Sequence, residues 1–146
     1  GEGLPWRGLP FETLPVGRGR RLREGRDVAL VTVGTVGNAA ARAAEHAAAQ
    51  GVEAAHYDLR WVKPLDTELL DEVGRTFRRV ITVEDGCLRG GVGEAVAAYF
   101  NARGYDAHVT CLGIGDAWVE HGTPEQLHAL CGYDEESIFR ALTQPV

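Results

Sequence analysis

Four short apolar runs, rich in β-branched residues and each separated from the next by a helical pattern, limit what this chain can fold into. They are "VALVTVG" from Val28, "VEAAHYDL" from Val52, "RRVITVED" from Arg78 and "DAHVTCLGI" from Asp106. Runs of this kind, with little polar alternation, are strands covered on both faces. Between them lie "NAAARAAEHAAAQG", "DTELLDEVGRTF" and "GEAVAAYFNARG", built from good helix formers. Strand followed by helix, repeated, implies right-handed crossovers and a mostly parallel sheet between two helical layers, a three-layer α/β/α sandwich. Asn38, Asp66, Thr123 and Asp134 are the expected N-caps, and Gly51 the stop of the first helix. In "TPEQ", Pro124 and Gln126 complete a capping box. At 146 residues and 45% hydrophobic, the chain has material for one core.

Several function classes are excluded early. A formal net charge of −6 disfavours a general nucleic-acid binder. The local exception is "GRGRRLREGR", with Arg18, Arg20, Arg21, Arg23 and Arg26. Glu24 and Asp27 interrupt it and no aromatic is interleaved for base stacking, so a solvated edge strand is expected there. Cys87, Cys111 and Cys131 form no C-x-x-C pair, which argues against a zinc knuckle or disulfide framework and for a reducing, cytoplasmic setting. No stretch approaches the roughly 20 apolar residues of a membrane span. The five histidines show no metal-ligand spacing, and Ser137, the one serine, lies in a helical pattern away from any nucleophile turn.

The stretch "VEDGCLRGGVGEAV" sets Gly86, Gly90, Gly91 and Gly93 between a strand and a helix. Neither the dinucleotide fingerprint nor the P-loop spacing fits, and Glu94 would oppose a phosphate. Two readings stand: glycines that allow a tight turn and close backbone approach, or an anion held at the helix N-terminus. His121, in "WVEHGTPE", either hydrogen-bonds its own loop or reaches a neighbouring site. Asp58, Arg60, Lys63 and Asp66 read as a structural ion-pair network or subunit contact.

Taken in order, "LPVGRGRRLREGRDVALVTVGT", "DLRWVKPLD", "VEDGCLRGGVGEAV" and "GDAWVEHGTPEQLHALCGYDEESI" closely resemble the C-terminal domain of the 1-deoxy-D-xylulose-5-phosphate synthase family, transketolase-like enzymes that use thiamine diphosphate. The first three motifs are similar to those of transketolases at large and of 2-oxo-acid dehydrogenase beta subunits; the fourth narrows the match. The resemblance implies a five-stranded sheet with one antiparallel edge strand, supplied by "GRRLRE". It implies a homodimeric enzyme that condenses pyruvate with glyceraldehyde 3-phosphate, losing carbon dioxide, on the way to isoprenoids. Thiamine diphosphate and Mg2+ belong to upstream domains of that enzyme, and none is expected bound to this chain. Residues 1–17, with three prolines and four glycines, are then a linker arm from a missing upstream domain, and 18–146 the domain proper.

No catalytic, cofactor or metal residue is therefore assigned. The segments 34–38, 84–93 and 113–121 should gather at the carboxyl ends of the parallel strands. There Glu84, Asp85, Gly90, Gly91, Gly93 and His121 form a candidate interdomain or dimer contact, the glycines allowing close approach and the polar side chains bonding across it. Gly91→Val is expected to obstruct that contact while leaving the isolated domain folded. A stand-alone anion-binding module, or the equivalent domain of a transketolase or 2-oxo-acid dehydrogenase, is the alternative.

Overall fold

The structure, a computed structural model, describes residues 12–144; most of the expected linker arm lies outside them. The elements run β1 (Arg20–Arg23), β2 (Val28–Val33), α1 (Gly37–Ala49), β3 (Ala54–Asp58), α2 (Thr67–Thr76), β4 (Arg79–Cys87), α3 (Val92–Arg103), β5 (His108–Ile114), α4 (Pro124–Cys131) and α5 (Glu135–Thr143). The sheet order is β1-β3-β2-β4-β5. All neighbours are parallel except β1 and β3. The antiparallel edge strand is thus the arginine-rich segment.

Strand alternation divides the core in two. Val28 and Leu30 of β2, with Ile81 and Val83 of β4, face α1 and α5, whose Ala40, Ala43, Ala44, Ala47, Ile138 and Leu142 are fully buried. Ala29, Val31 and Val80 point the other way, onto Leu70 and Val73 of α2 and Val96 and Phe100 of α3. The spacing of the buried alanines is that of one helical face, so α1 meets the sheet through methyl groups alone.

Caps end the helices largely where local sequence places them. Asp66 accepts from the Leu69 amide, Asp134 from Ser137, and Thr123 forms its capping box with Gln126. Asn38 is the exception. Helix α1 begins two residues earlier, with Val36 at its N-cap, and the Asn38 side-chain amide donates to the Thr35 carbonyl instead. Helices α2 and α3 are joined by Asp71, which accepts from Tyr99 Oη at 2.7 Å, Tyr105 Oη at 2.8 Å and Arg103 Nη2 at 2.6 Å. The Arg103 guanidinium, helped by the two hydroxyls, holds the Asp71 carboxyl well below the usual carboxylate range.

Each arginine of the basic run faces a carboxylate of this chain. Arg18 pairs with Glu68, Arg20 with Asp58, Arg21 with Glu72 and Glu24, Arg23 with Glu53, and Arg26 with Asp27. Asp58 also accepts from the Arg60 amide, and Asp66 from the Gly19 amide at 2.9 Å. Asp58 and Asp66 of "DLRWVKPLD" thus strap β1 to β3 and to the start of α2, with Arg60 beside Asp58, whereas Lys63 makes no ion pair among the described residues. No helix among the described residues is long and apolar enough to cross a membrane.

His56 lies inside the sheet, 1% exposed, with its Nε2 2.9 Å from Thr32 Oγ1. Burial pushes its pKa down to about 4. The unfolded chain therefore binds a proton that the folded chain refuses between about pH 6.5 and pH 4, so stability is full above that window and falls on acidification. The loss through His56 is expected to reach about 3 kcal/mol at the acid end. Urea titrations between pH 7.5 and pH 4.5 should show that slope in the native chain and a much shallower one in His56→Gln.

Candidate functional site

The parallel strands deliver their following segments to one edge. Glu84, near the end of β4, decides the character of that edge. Alternation along β4 aims its side chain at the α3 side, and it is 5% exposed. Its two oxygens accept from the backbone amides of Val92 at 2.9 Å and Gly93 at 2.8 Å, the first residues of α3. A helix starts with amides that lack intrahelical partners and with the positive end of its dipole. Here a carboxylate of the same chain fills that position. The Gly90 amide is taken as well, by Glu94 Oε2 at 2.7 Å.

This arrangement decides between the two readings of the glycine stretch. The loop is a turn, and the anion at its helix N-terminus is internal. A Cβ built on Gly91 would overlap the Cys87 carbonyl oxygen and meet the Glu84 carboxylate at 2.6 and 2.7 Å. One on Gly93 would meet Thr82 Oγ1 at 2.5 Å and Cys111 Sγ at 2.7 Å. Two expectations are corrected on this ground. Glu84 turns inward rather than offering a hydrogen bond across a contact, and Gly91→Val strikes the turn itself before any docking partner.

Asp85 points the other way, with half its side chain exposed. Its Oδ1 accepts from Tyr133 Oη at 2.8 Å, and its Oδ2 lies 3.8 Å from His128 Nε2. The His128 and Tyr133 rings lie 4.7 Å apart. Tyr133 and His128 carried no local signal, because 48 residues separate Asp85 from its tyrosine partner. His121 is exposed and has no hydrogen-bond partner among the described residues, so it does not brace its own loop.

Beside the glycine turn runs a second segment, 115–126, in which every residue is exposed. Trp118 has its whole surface free, and Val119 is 37% exposed. The segment is moored to the glycine turn by Arg89 and Asp116, 3.1 Å apart, and by the Leu88 amide donating to the Ile114 carbonyl. Helix α4, which follows, buries none of its residues. A large, freely exposed indole is uncommon on a surface that meets only water.

No group of three or more His, Cys, Asp or Glu side chains among the described residues could hold a metal ion. Cys87 is exposed, and Cys111 and Cys131 are half-buried. Thiamine diphosphate does not fit either: the amides that would cradle a diphosphate are already bonded to Glu84, whose charge opposes a second anion.

The chain matches known proteins along most of its length. The model of the family described as "Transketolase, C-terminal domain" matches residues 17–138. The 1-deoxy-D-xylulose-5-phosphate synthase of Bacteroides fragilis is 48% identical over 136 residues, which are 92% of this chain and 21% of that protein. The synthase of Carboxydothermus hydrogenoformans is 42% identical over 130 residues, 89% of this chain and 21% of that protein. This chain thus spans about a fifth of the length of the curated relatives it matches. Among solved structures, one titled "Split gene transketolase, inactive beta4 tetramer" superposes with a TM-score of 0.86 at 34% identity, over 96% of this chain and 46% of that one.

Two substitutions test the turn. Glu84→Ala removes two hydrogen bonds to buried amides and is expected to cost about 3 kcal/mol in urea titration. Acetate or formate, by entering the vacated position, should raise the melting temperature of Glu84→Ala more than that of the native chain. Gly91→Val, measured on the chain by itself, is expected to cost about 3 kcal/mol through overpacking.

Proposed function

The chain belongs to the transketolase C-terminal domain family, and from that premise we propose that it is the assembly-supporting, non-catalytic domain of a 1-deoxy-D-xylulose-5-phosphate synthase. The relatives that carry this name support the choice of enzyme over a general transketolase or a 2-oxo-acid dehydrogenase. The whole enzyme would join pyruvate to glyceraldehyde 3-phosphate with loss of carbon dioxide. Thiamine diphosphate and Mg2+ would be held by other domains, in a cytoplasmic homodimer. Residues 1–17 would serve as the arm leading to those domains.

One observation carries the assignment of a supporting role. The edge where an α/β sheet ordinarily binds its ligand is closed by an internal carboxylate, while the segment beside it, from Gly115 to Gln126, is wholly exposed around Trp118. The chemistry of this edge therefore suits contact with protein better than with a small molecule. Asp85 and His121 would border that contact, and Trp118 would be its apolar anchor, the residue type that most often dominates such interfaces. Gly90, Gly91 and Gly93 would contribute by keeping the turn low.

Trp118→Ala separates docking from folding. On this chain alone the change should move stability by no more than about 0.5 kcal/mol, since the side chain touches little of its own domain. In the full polypeptide it should lower dimer content by sedimentation, and synthase activity with it. Unchanged assembly and activity in that variant would overturn the docking role. A fully assembled dimer with its cofactor bound but no turnover would instead place the segment at substrate.

A further inference from the structure

Helix α4 is attached to the body with little burial. Its inward face consists of Leu127, His128 and Cys131, each only half-buried, and none of its residues is fully enclosed. The polar part of the attachment is concentrated at His128. Tyr133, 2% exposed and packed in the core beside Ile138 and Leu142, fixes Asp85 through its hydroxyl. Asp85 thus stands as a fixed post, with one oxygen bonded to the core tyrosine and the other turned toward α4. Against this pair the His128 ring rests 4.7 Å from the tyrosine ring, with Nε2 3.8 Å from the free carboxylate oxygen.

We propose that His128, Asp85 and Tyr133 form a proton-operated latch that sets how firmly α4, and the exposed segment leading into it, is held against the sheet edge. A neutral imidazole holds the helix by ring contact alone. A protonated one adds attraction to Asp85 and to the electron-rich face of Tyr133, so acidification tightens α4 and alkaline conditions loosen it.

The other charged groups around His128 modify this without reversing it. Glu125 lies one turn earlier on α4 and adds to the attraction for a charged ring. Across a groove of about 400 Å³ stand Arg42 and His46 of α1 and Asp134, Glu135 and Glu136 of α5. Arg42 and His46 both engage Glu135, at 2.6 and 3.4 Å, Asp134 caps α5 and Glu136 faces Arg140, which leaves Asp85, with Glu125, to answer His128.

Only the consequence of the latch, pH-tuned docking, rests on the proposed function; the latch itself is a property of this chain. Hydrogen–deuterium exchange of the α4 amides, corrected for intrinsic rates, reads it directly at pH 8 and pH 5.5. In the native chain their protection should rise about two- to fivefold at the lower pH, the scale of a partly exposed ion pair. Asp85→Asn keeps an acceptor for Tyr133, and His128→Phe keeps the ring contact; in both, α4 protection should lack that rise, and the fall in global stability through His56, common to all three chains, cancels when they are compared at each pH. A native chain without the rise, or a rise that persists in His128→Phe, would overturn the latch. Failure of Trp118→Ala to affect assembly would count against docking and leave this result standing.

Discussion

The Glu84 carboxylate sits where an inner strand ends and a helix begins, and the neighbouring structure is arranged around it. It pairs the first amides of α3, meets the positive end of that helix, and so fixes the helix to the strand that feeds it. The space it occupies is space a side chain at Gly91 would need, which is why the turn is glycine-rich without being a ligand loop. The same carboxylate occupies the position where a phosphate would otherwise bind. A fold used widely for nucleotides is thereby turned into one whose ligand edge is closed from within.

Elsewhere, too, charged groups are answered inside the chain. The basic run on β1 is matched by acids of β3 and α2, and Asp71 gathers two tyrosines and an arginine where α2 and α3 meet. The segment from Gly115 to Gln126 stands out against this self-sufficiency. Its indole and acidic residues find few partners in the domain, and it continues into a helix whose inward face is only half-buried. The charge pairing found across β1, α2 and α3 thins out along this edge, where a free indole stands instead.

Much of this was legible in the sequence, for reasons that differ from element to element. β2, β3, β4 and β5 show as apolar runs because both faces of the sheet are covered, and Asp66, Thr123 and Asp134 show because a cap lies at a fixed offset from the amides it serves. β1 has no apolar pattern; its interrupted charge run reads as a solvated edge strand, and the resemblance adds that it runs antiparallel. Asn38 misled because a good capping residue can still fall inside the first turn when the preceding backbone already curls. For Glu84 a signal existed: it is in phase with Val80 and Thr82, so strand alternation aims it at the α3 side and not at solvent. Nothing local could have joined Asp85 to Tyr133, since tertiary folding alone brings them together.

The alanine face of α1 has a consequence for how this domain can change over time. On that side the helix comes close because its side chains are small, and any added carbon must push helix and sheet apart. On the opposite side Leu70, Phe100 and their neighbours fill the space with bulk, and any carbon removed leaves a void. Where α1 meets the sheet the core is therefore closed to enlargement, while around Leu70 and Phe100, and around Ile138 and Leu142 of α5, it is closed to loss.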